Sequence, residues 1–259
     1  MHMRHSSVHI DLGNTSVLIT GASRGIGAAV ARAMGGAGAR VAIHYRDRRD
    51  RATALAARIG ASAEAFQADL SNAAECVSLW KAVVARFGRV DTLVNNAGIA
   101  ISSPLQSATE DWLQGWETTM AVNLRAPSIL SRLAIGHFME KGGGRIINIS
   151  SRAAFRGDQP PYLAYAASKG GLVALTRSIA RGFGKAGILA FNVAPGFTRT
   201  DMAQDFLDEY GEGYVAGDIA LNRLTEPDDI APFLVFLASG LADHATGCTI
   251  DVNAGSYVH

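Results

Sequence analysis

The chain has 259 residues, 48% of them apolar, with 24 lysines and arginines against 23 aspartates and glutamates. The apolar share supports a sizeable core and excludes a largely disordered chain. A net charge of +1 gives no electrostatic basis for binding nucleic acid or an anionic membrane, and no apolar run approaches the roughly 20 residues of a bilayer span.

In chain order, residues 1–14 read as a flexible tail with no apolar signal core, so export is not expected. Its His2, His5 and His9 have no later partner at metal-ligand spacing, and no metal site is expected. "SVLIT" (16–20) is a short apolar strand, followed by the Ala-rich helix "GIGAAVARAMGGAG" (25–38). "RVAIHY" (40–45) is a second strand, "DRATALAARIG" (50–60) has helical spacing, and "AEAFQAD" (63–69) is a third strand. "AAECVSLWKAVVARFG" (73–88) is an amphipathic helix, and "DTLVNNAG" (91–98) is a strand entering a glycine turn. Two helical blocks, 109–123 and 124–140, precede the apolar strand "GRIINIS" (144–150). A helix over 163–184, the strand "ILAFNVA" (188–194), an irregular stretch over 196–226, a helix after Pro227 and the strand "CTIDVN" (248–253) complete the order.

Strands alternating with helices predict parallel βαβ units. Strands buried on both faces explain the missing period-two alternation. With no repeat, linker or composition break, the expected fold is α/β: one doubly wound parallel sheet of Rossmann type, helices on both faces, in a single domain over 1–259. Cys76 and Cys248 fit no zinc or redox spacing and read as reduced packing residues of a cytoplasmic protein.

The first strand runs into "TGASRGIG" (20–27), with Gly21, Gly25 and Gly27 where strand becomes helix. Glycine permits a tight turn and close approach, and the helix N-terminus then offers free N–H groups to a pyrophosphate. The spacing departs from G-x-G-x-x-G and is similar to that of the short-chain dehydrogenases/reductases. Further landmarks carry the same resemblance: "NNAG" (95–98), "AVN" (121–123), "INISS" (147–151), "YAASK" (165–169), "NVAPGFTRTDM" (192–202) and "TEPDDIA" (225–231). Within that family the chain resembles the 3-oxoacyl-acyl-carrier-protein reductases and their relatives.

On a helix, positions four and seven apart both share a face, so geometry alone lets either Tyr162 or Tyr165 work with Lys169. The resemblance favours Tyr165, since the family sets its catalytic tyrosine four residues before the lysine; Tyr162 fits the spacing of the enoyl-reducing branch. Hydride addition to a ketone builds charge on oxygen that must be protonated, and a free tyrosine titrates near pH ~10, high for this work. A lysine ammonium about 4–5 Å away, at an effective dielectric near 20, contributes on the order of 3–4 kcal/mol to tyrosinate. Lys169 is thus expected to depress the Tyr165 phenol. The resemblance implies Ser151 as hydrogen-bond donor to the substrate oxygen, with Ser150 as its rival, and Asn123 as holder of a water linking Lys169 to solvent.

The family's NADH users carry an acid at the end of the second strand. Here that position is Tyr45, followed by Arg46, and Arg24 lies in the glycine turn. Two arginines converging on a 2′-phosphate imply NADP(H) as the preferred cofactor, with NAD(H) the alternative. The resemblance further assigns Ser23, Ile26, Asp69, Leu70, Asn96, Ala97, Gly98, Pro195, Gly196, Thr198 and Thr200 to the cofactor path, Asp69 toward the adenine amino group. Residues 197–223 are expected to form a substrate lid, with Phe197, Met202, Phe206 and Tyr214 on one side and Asp205, Asp208 and Glu209 outward. Arg152 and Arg156 read either as surface residues or as favouring an anionic substrate.

The implied activity is hydride transfer between NADP(H) and a small carbonyl or alcohol. The rival readings are a nucleotide-sensing binding protein on the same fold, an enoyl-type reductase using Tyr162, and an extended-branch epimerase or dehydratase. The intact Ser151, Tyr165 and Lys169 set separates the enzyme from the sensor. A homotetramer is expected, from the family habit and from apolar residues beyond one inward stripe: Trp112, Trp116, Ile129, Leu133 and Phe138, then Leu172, Leu175, Ile179 and Phe183.

Overall fold

Ser16–Ile19 (β1) is buried along its whole length and pairs in parallel on both sides, with Arg40–Tyr45 (β2) and with Thr92–Asn95 (β4). This computed structural model describes residues 10–201, 213 and 217–258. From β1 the chain runs outward through Gly25–Gly36 (α1), β2, Arg49–Ile59 (α2) and Ala63–Gln67 (β3). It returns across the sheet by Ala73–Phe87 (α3) to β4, then continues through Thr109–Met120 (α4), Ala126–Lys141 (α5), Gly144–Ile149 (β5), Ala153–Arg156 (α6), Leu163–Phe183 (α7) and Ile188–Pro195 (β6). Pro227–Ala238 (α8) and Thr249–Val252 (β7) follow. The strand order is β3-β2-β1-β4-β5-β6-β7, all parallel.

The sheet is covered on both faces, as expected. Val17 and Ile19 face one core, built with Val30 and Met34 of α1 and Leu234 and Leu237 of α8. Leu18 faces the other, with Trp80 of α3, Leu130 and Phe138 of α5 and Ile179 of α7. Strand residues facing either way are therefore mostly apolar, and alternation disappears from the sequence. Asn72 caps α3 through Oδ1, which accepts the Ala74 N–H at 2.9 Å. Glu226 and Asp229 form a capping box that starts α8 at Pro227.

Three details differ from expectation. Leu12, placed in the tail, is buried, and its N–H donates to the Ala37 carbonyl at 2.7 Å, so the ordered chain begins before residue 14. Residues 1–9 of that tail lie outside the described residues. The two helical blocks after β4 are joined by a π-turn at Ala121–Arg125 instead of a break. The short α6, absent from the sequence reading, forms directly after β5 because Ser151 Oγ accepts the Ala153 N–H at 3.1 Å.

Candidate active site

The strand order reverses between β1 and β4, and a crevice of about 380 Å³ opens at their C-terminal ends. Its floor is the glycine turn. Gly21 has φ +64, and a Cβ there would lie 2.8 Å from Ala97 Cα; a Cβ on Gly27 would lie 2.5 Å from Asn96 Nδ2. The turn and the loop after β4 are thus in backbone contact, which only glycine allows. Hydrogen bonds fix the pairing: Asn96 Nδ2 donates to the carbonyls of Thr20 (2.8 Å) and Gly21 (3.1 Å), and Thr20 Oγ1 accepts the N–H groups of Asn96 and Ala97. Helix α1 begins with no side-chain cap and no acid in its first turn, the state in which helix amides suit an anion.

The sequence reading missed a residue that sets this turn. His44 Nδ1 accepts the Gly21 N–H at 2.9 Å, so Nε2 carries the proton and donates to the Ala68 carbonyl at 3.0 Å. Burial lowers its pKa from 6.5 to about 4, outweighing the backbone bond and nearby Asp69. His44 is a neutral clamp between the β1 turn and the end of β3. Its only signal in the sequence is one polar residue within the apolar run "RVAIHY".

At one end of the crevice lie Ser23, Arg24, Gly25, Ile26, Tyr45, Arg46, Asp69 and Leu70, together with Asn96, Ala97 and Gly98. Asp69 Oδ1 accepts the Ser71 N–H at 2.8 Å, and that bond holds the carboxyl below its usual range. The two expected phosphate-binding arginines both line the crevice, each paired with a carboxylate: Arg46 donates to Asp47 at 2.6 Å, and Arg24 donates to Asp201 at 3.1 Å. Thr200 lines the crevice, whereas Pro195, Gly196 and Thr198 do not. Gly196 N–H instead donates to the Val252 carbonyl at 3.0 Å, tying the end of β6 to β7, and Thr198 Oγ1 donates to the Gly196 carbonyl at 3.1 Å within the following loop.

Tyr165 and Lys169, one turn apart on α7, line the other end. Lys169 is 4% exposed; its Nζ donates to the Ile149 carbonyl at 2.8 Å and sits 5.6 Å from the centre of the Tyr165 ring. Burial lowers the ammonium from 10.5 to about 8. The Tyr165 phenol is raised, not depressed: burial pushes it up, a hydrogen bond with Ser151 pulls it down, and Asp158 adds to the rise. The expectation of a depressed phenol fails among the protein's own groups because burial disfavours both charged forms.

Ser151 is partly buried and bonded to Tyr165, while Ser150 is buried and committed to the sheet, donating to the Val193 carbonyl (3.3 Å) and accepting from Asn192 Nδ2 (2.8 Å). Tyr162 closes the turn Pro160–Tyr162 and does not line the crevice. Asn123, buried in the π-turn, brackets one residue: Oδ1 accepts the Ile99 N–H at 2.9 Å and Nδ2 donates to the Ile99 carbonyl at 2.8 Å. A Cβ on Gly98 would lie 3.2 Å from Lys169 Nζ and 3.5 Å from Asn123 Oδ1, so both side chains close on that glycine.

Beyond Ser151, Arg152 and Arg156 both donate to Asp218 Oδ2, at 2.7 and 2.9 Å. Arg152 has its side chain only 13% exposed, so it is not a surface residue. Phe155 stacks on Tyr257, with ring centres 6.1 Å apart. Of the expected lid, Phe197 packs with Leu224 and Ile219, whereas Met202, Asp205, Phe206, Asp208, Glu209 and Tyr214 lie outside the described residues.

Residues 21–257 match a family model described as Enoyl-(Acyl carrier protein) reductase. The chain is 37% identical over 246 residues to the 3-oxoacyl-[acyl-carrier-protein] reductase FabG of Staphylococcus aureus, covering 94% of this chain and 98% of that one. Among solved structures it is similar to a 3-ketoacyl-(acyl-carrier-protein) reductase from Brucella melitensis complexed with NADH, at 32% identity and TM-score 0.87, covering 96% of this chain and 100% of that one. It is likewise similar to a blue fluorescent protein from a metagenomic library in complex with NADPH, at 36% identity and TM-score 0.88, with the same two coverages.

Proposed function

Because the chain belongs to the short-chain dehydrogenase/reductase family, we propose that it is an NADP(H)-dependent reductase of small ketones, run in reverse as an alcohol dehydrogenase. The observation that carries this reading is the meeting of Tyr165 and Lys169 with the glycine turn in one crevice, with Ser151 bonded to Tyr165.

The nicotinamide, when bound, supplies or accepts the hydride. The glycine turn, the first amides of α1 and Asn96–Gly98 hold the dinucleotide, and Arg24 and Arg46 at the adenosine end, with no acid at Tyr45, favour NADP(H). Ser151 donates a hydrogen bond to the substrate oxygen and orients it toward Tyr165, which delivers the proton. Lys169 stabilises the resulting tyrosinate and holds the cofactor ribose. Asn123 holds the water that returns a proton to Lys169. The whole chain serves as one catalytic domain, residues 197–223 cover the substrate, and four chains assemble.

The enoyl-type reading would need Tyr162 beside Lys169 in the crevice, whose lining includes Tyr165 and not Tyr162. A nucleotide-sensing protein would not need Ser151, Tyr165 and Lys169 together. NADPH consumption should be followed across ketones, 3-oxoacyl thioesters, enoyl thioesters and quinones, with alcohols tested in reverse. Turnover of a ketone or oxoacyl thioester is expected. Turnover of enoyl thioesters alone would establish the enoyl reading, and tight NADPH binding with no turnover in either direction would favour the sensor.

A further inference from the structure

Arg152 and Arg156 meet on one carboxylate oxygen beside the site. Both donate Nη1 to Asp218 Oδ2, at 2.7 and 2.9 Å, and among the described residues neither guanidinium has another acceptor. Arg152 directly follows Ser151. Its N–H donates to the Pro195 carbonyl at 3.0 Å, and Ser151 Oγ accepts the Ala153 N–H, so the turn that carries both side chains is fixed. Asp218 is braced as well: two residues on, the Ala220 N–H donates to the Ala254 carbonyl at 2.7 Å, and a Cβ on Gly255 would lie 2.8 Å from Ala220 Cβ. Phe155, between the two arginines in sequence, stacks on Tyr257 of the same C-terminal segment.

We infer that Arg152 and Arg156 bind a carboxylate on the substrate, so that the ketones this enzyme reduces are small oxo acids. This rests on the reductase reading above and names its substrate class. Arginine is seldom withdrawn from water, yet the Arg152 side chain, next to the serine that faces the substrate oxygen, is only 13% exposed. Burial and the neighbouring Arg156 both disfavour its charge, and Asp218 offsets them only in part. A second carboxylate completes that compensation, and a planar guanidinium with unused donors accepts it in a two-point pair. Two arginines and one aspartate sum to +1, which one carboxylate neutralises and a phosphate dianion exceeds. Asp158, the next acid, turns Oδ1 to the Gln159 N–H at 2.8 Å and makes no ion pair with either arginine among the described residues. Its charge acts on Tyr165 as well as on both arginines, so the cluster and the phenol share one neighbourhood.

The test is steady-state reduction by NADPH of pyruvate, acetoacetate and levulinate, each beside its methyl ester, which keeps the ketone and removes the charge. The quantity read is the acid-to-ester ratio of kcat/KM within one protein, so a poorly folded variant lowers both values and leaves the ratio alone. Wild type is expected to favour the acid in at least one pair by about tenfold or more. Arg152→Gln is expected to lower that ratio by about tenfold to a hundredfold. Arg156→Gln, whose side chain is 40% exposed, is expected to lower it less. An unchanged ratio in Arg152→Gln would overturn the inference and leave the reductase reading standing. So would a wild type that reduces neutral ketones or the esters as well as, or better than, the acids. No turnover of any carbonyl would defeat the reductase reading and this inference together.

Discussion

His44 holds Gly21 by accepting its backbone N–H on Nδ1 at 2.9 Å, so the turn beneath the crevice depends on an imidazole that stays neutral. Its pKa falls from 6.5 unfolded to about 4 folded. Between those values the unfolded chain binds the extra proton, so stability drops as pH falls through that window. One histidine contributes a slope of about 1.4 kcal/mol per pH unit. Urea titrations from pH 7 to 4 should show this slope in wild type and a shallower one in His44→Gln. The variant should also be about 1–3 kcal/mol less stable at pH 7, because a bond to a buried amide is lost or misaligned. Equal slopes in the two proteins would show that His44 titrates normally.

Tyr165→Phe is expected to abolish turnover and leave NADPH binding nearly unchanged, since it removes the proposed proton donor and spares the rest of the crevice. Tyr162→Phe should keep most of the activity. The reverse pattern, read by single-turnover kinetics, would transfer the role to Tyr162.

The two adjacent serines should separate cleanly. Ser151→Ala removes the proposed donor to the substrate oxygen, and kcat should fall by about 10²–10³, while loss of the bond from the Ala153 N–H lowers stability by only about 0.5–1 kcal/mol. Ser150→Ala breaks the buried links to Val193 and Asn192 and should lower stability by about 1–2 kcal/mol while retaining most of kcat. A kcat collapse in Ser150→Ala alone would reverse the assignment.

Lys169 gives the same sign of pH dependence as His44, in an alkaline window. Its folded value of about 8 lies below the ordinary 10.5. Above pH 8 the folded state releases the proton that the unfolded state still binds, so stability should rise as pH increases toward 10.5. Lys169→Met should lack this rise in denaturant titrations, and it should lose activity at every pH. A rise of the same size in the variant would assign it to other groups.

Assembly can be tested by light scattering at micromolar concentration. Of the apolar residues that suggested assembly, Phe138, Leu172 and Ile179 are buried within the chain, whereas Leu113 of α4, Met139 of α5, and Phe233 and Phe236 of α8 are exposed. Two isologous contacts would cover them and close a tetramer. A mass near four chains of 27.2 kDa is expected, and a mass near one chain would refute it.

The sheet was legible because strands buried on both faces leave continuous apolar runs, and Val17, Leu18 and Ile19 announce β1 without tertiary information. Tyr165 with Lys169 was legible because the relation is local, one turn of helix. His44, Asp201 and the shell around Ser150 were not. His44 acts through a backbone amide 23 residues away, and Asp201 through arginines 150 and 177 residues away. No local pattern encodes such pairs; the parallel crossovers create them. Tyr165 also misled in one respect, since its spacing from Lys169 announces attraction but not the burial that outweighs it.

The π-turn at Ala121–Arg125 admits one more residue than an α-helix would hold over the same stretch. Its residues wind about as far as one fewer residue of α-helix, so α4 and α5 keep the bearing of one continuous helix. Deleting one residue from 121–125 would leave an uninterrupted helix from Thr109 to Lys141, with the stacked pair Trp112 and Trp116 facing as it does now. Asn123, however, would lose its two-point grip on Ile99, which lines the crevice. The extra residue therefore serves the wall of the crevice and not the packing of the helices on either side.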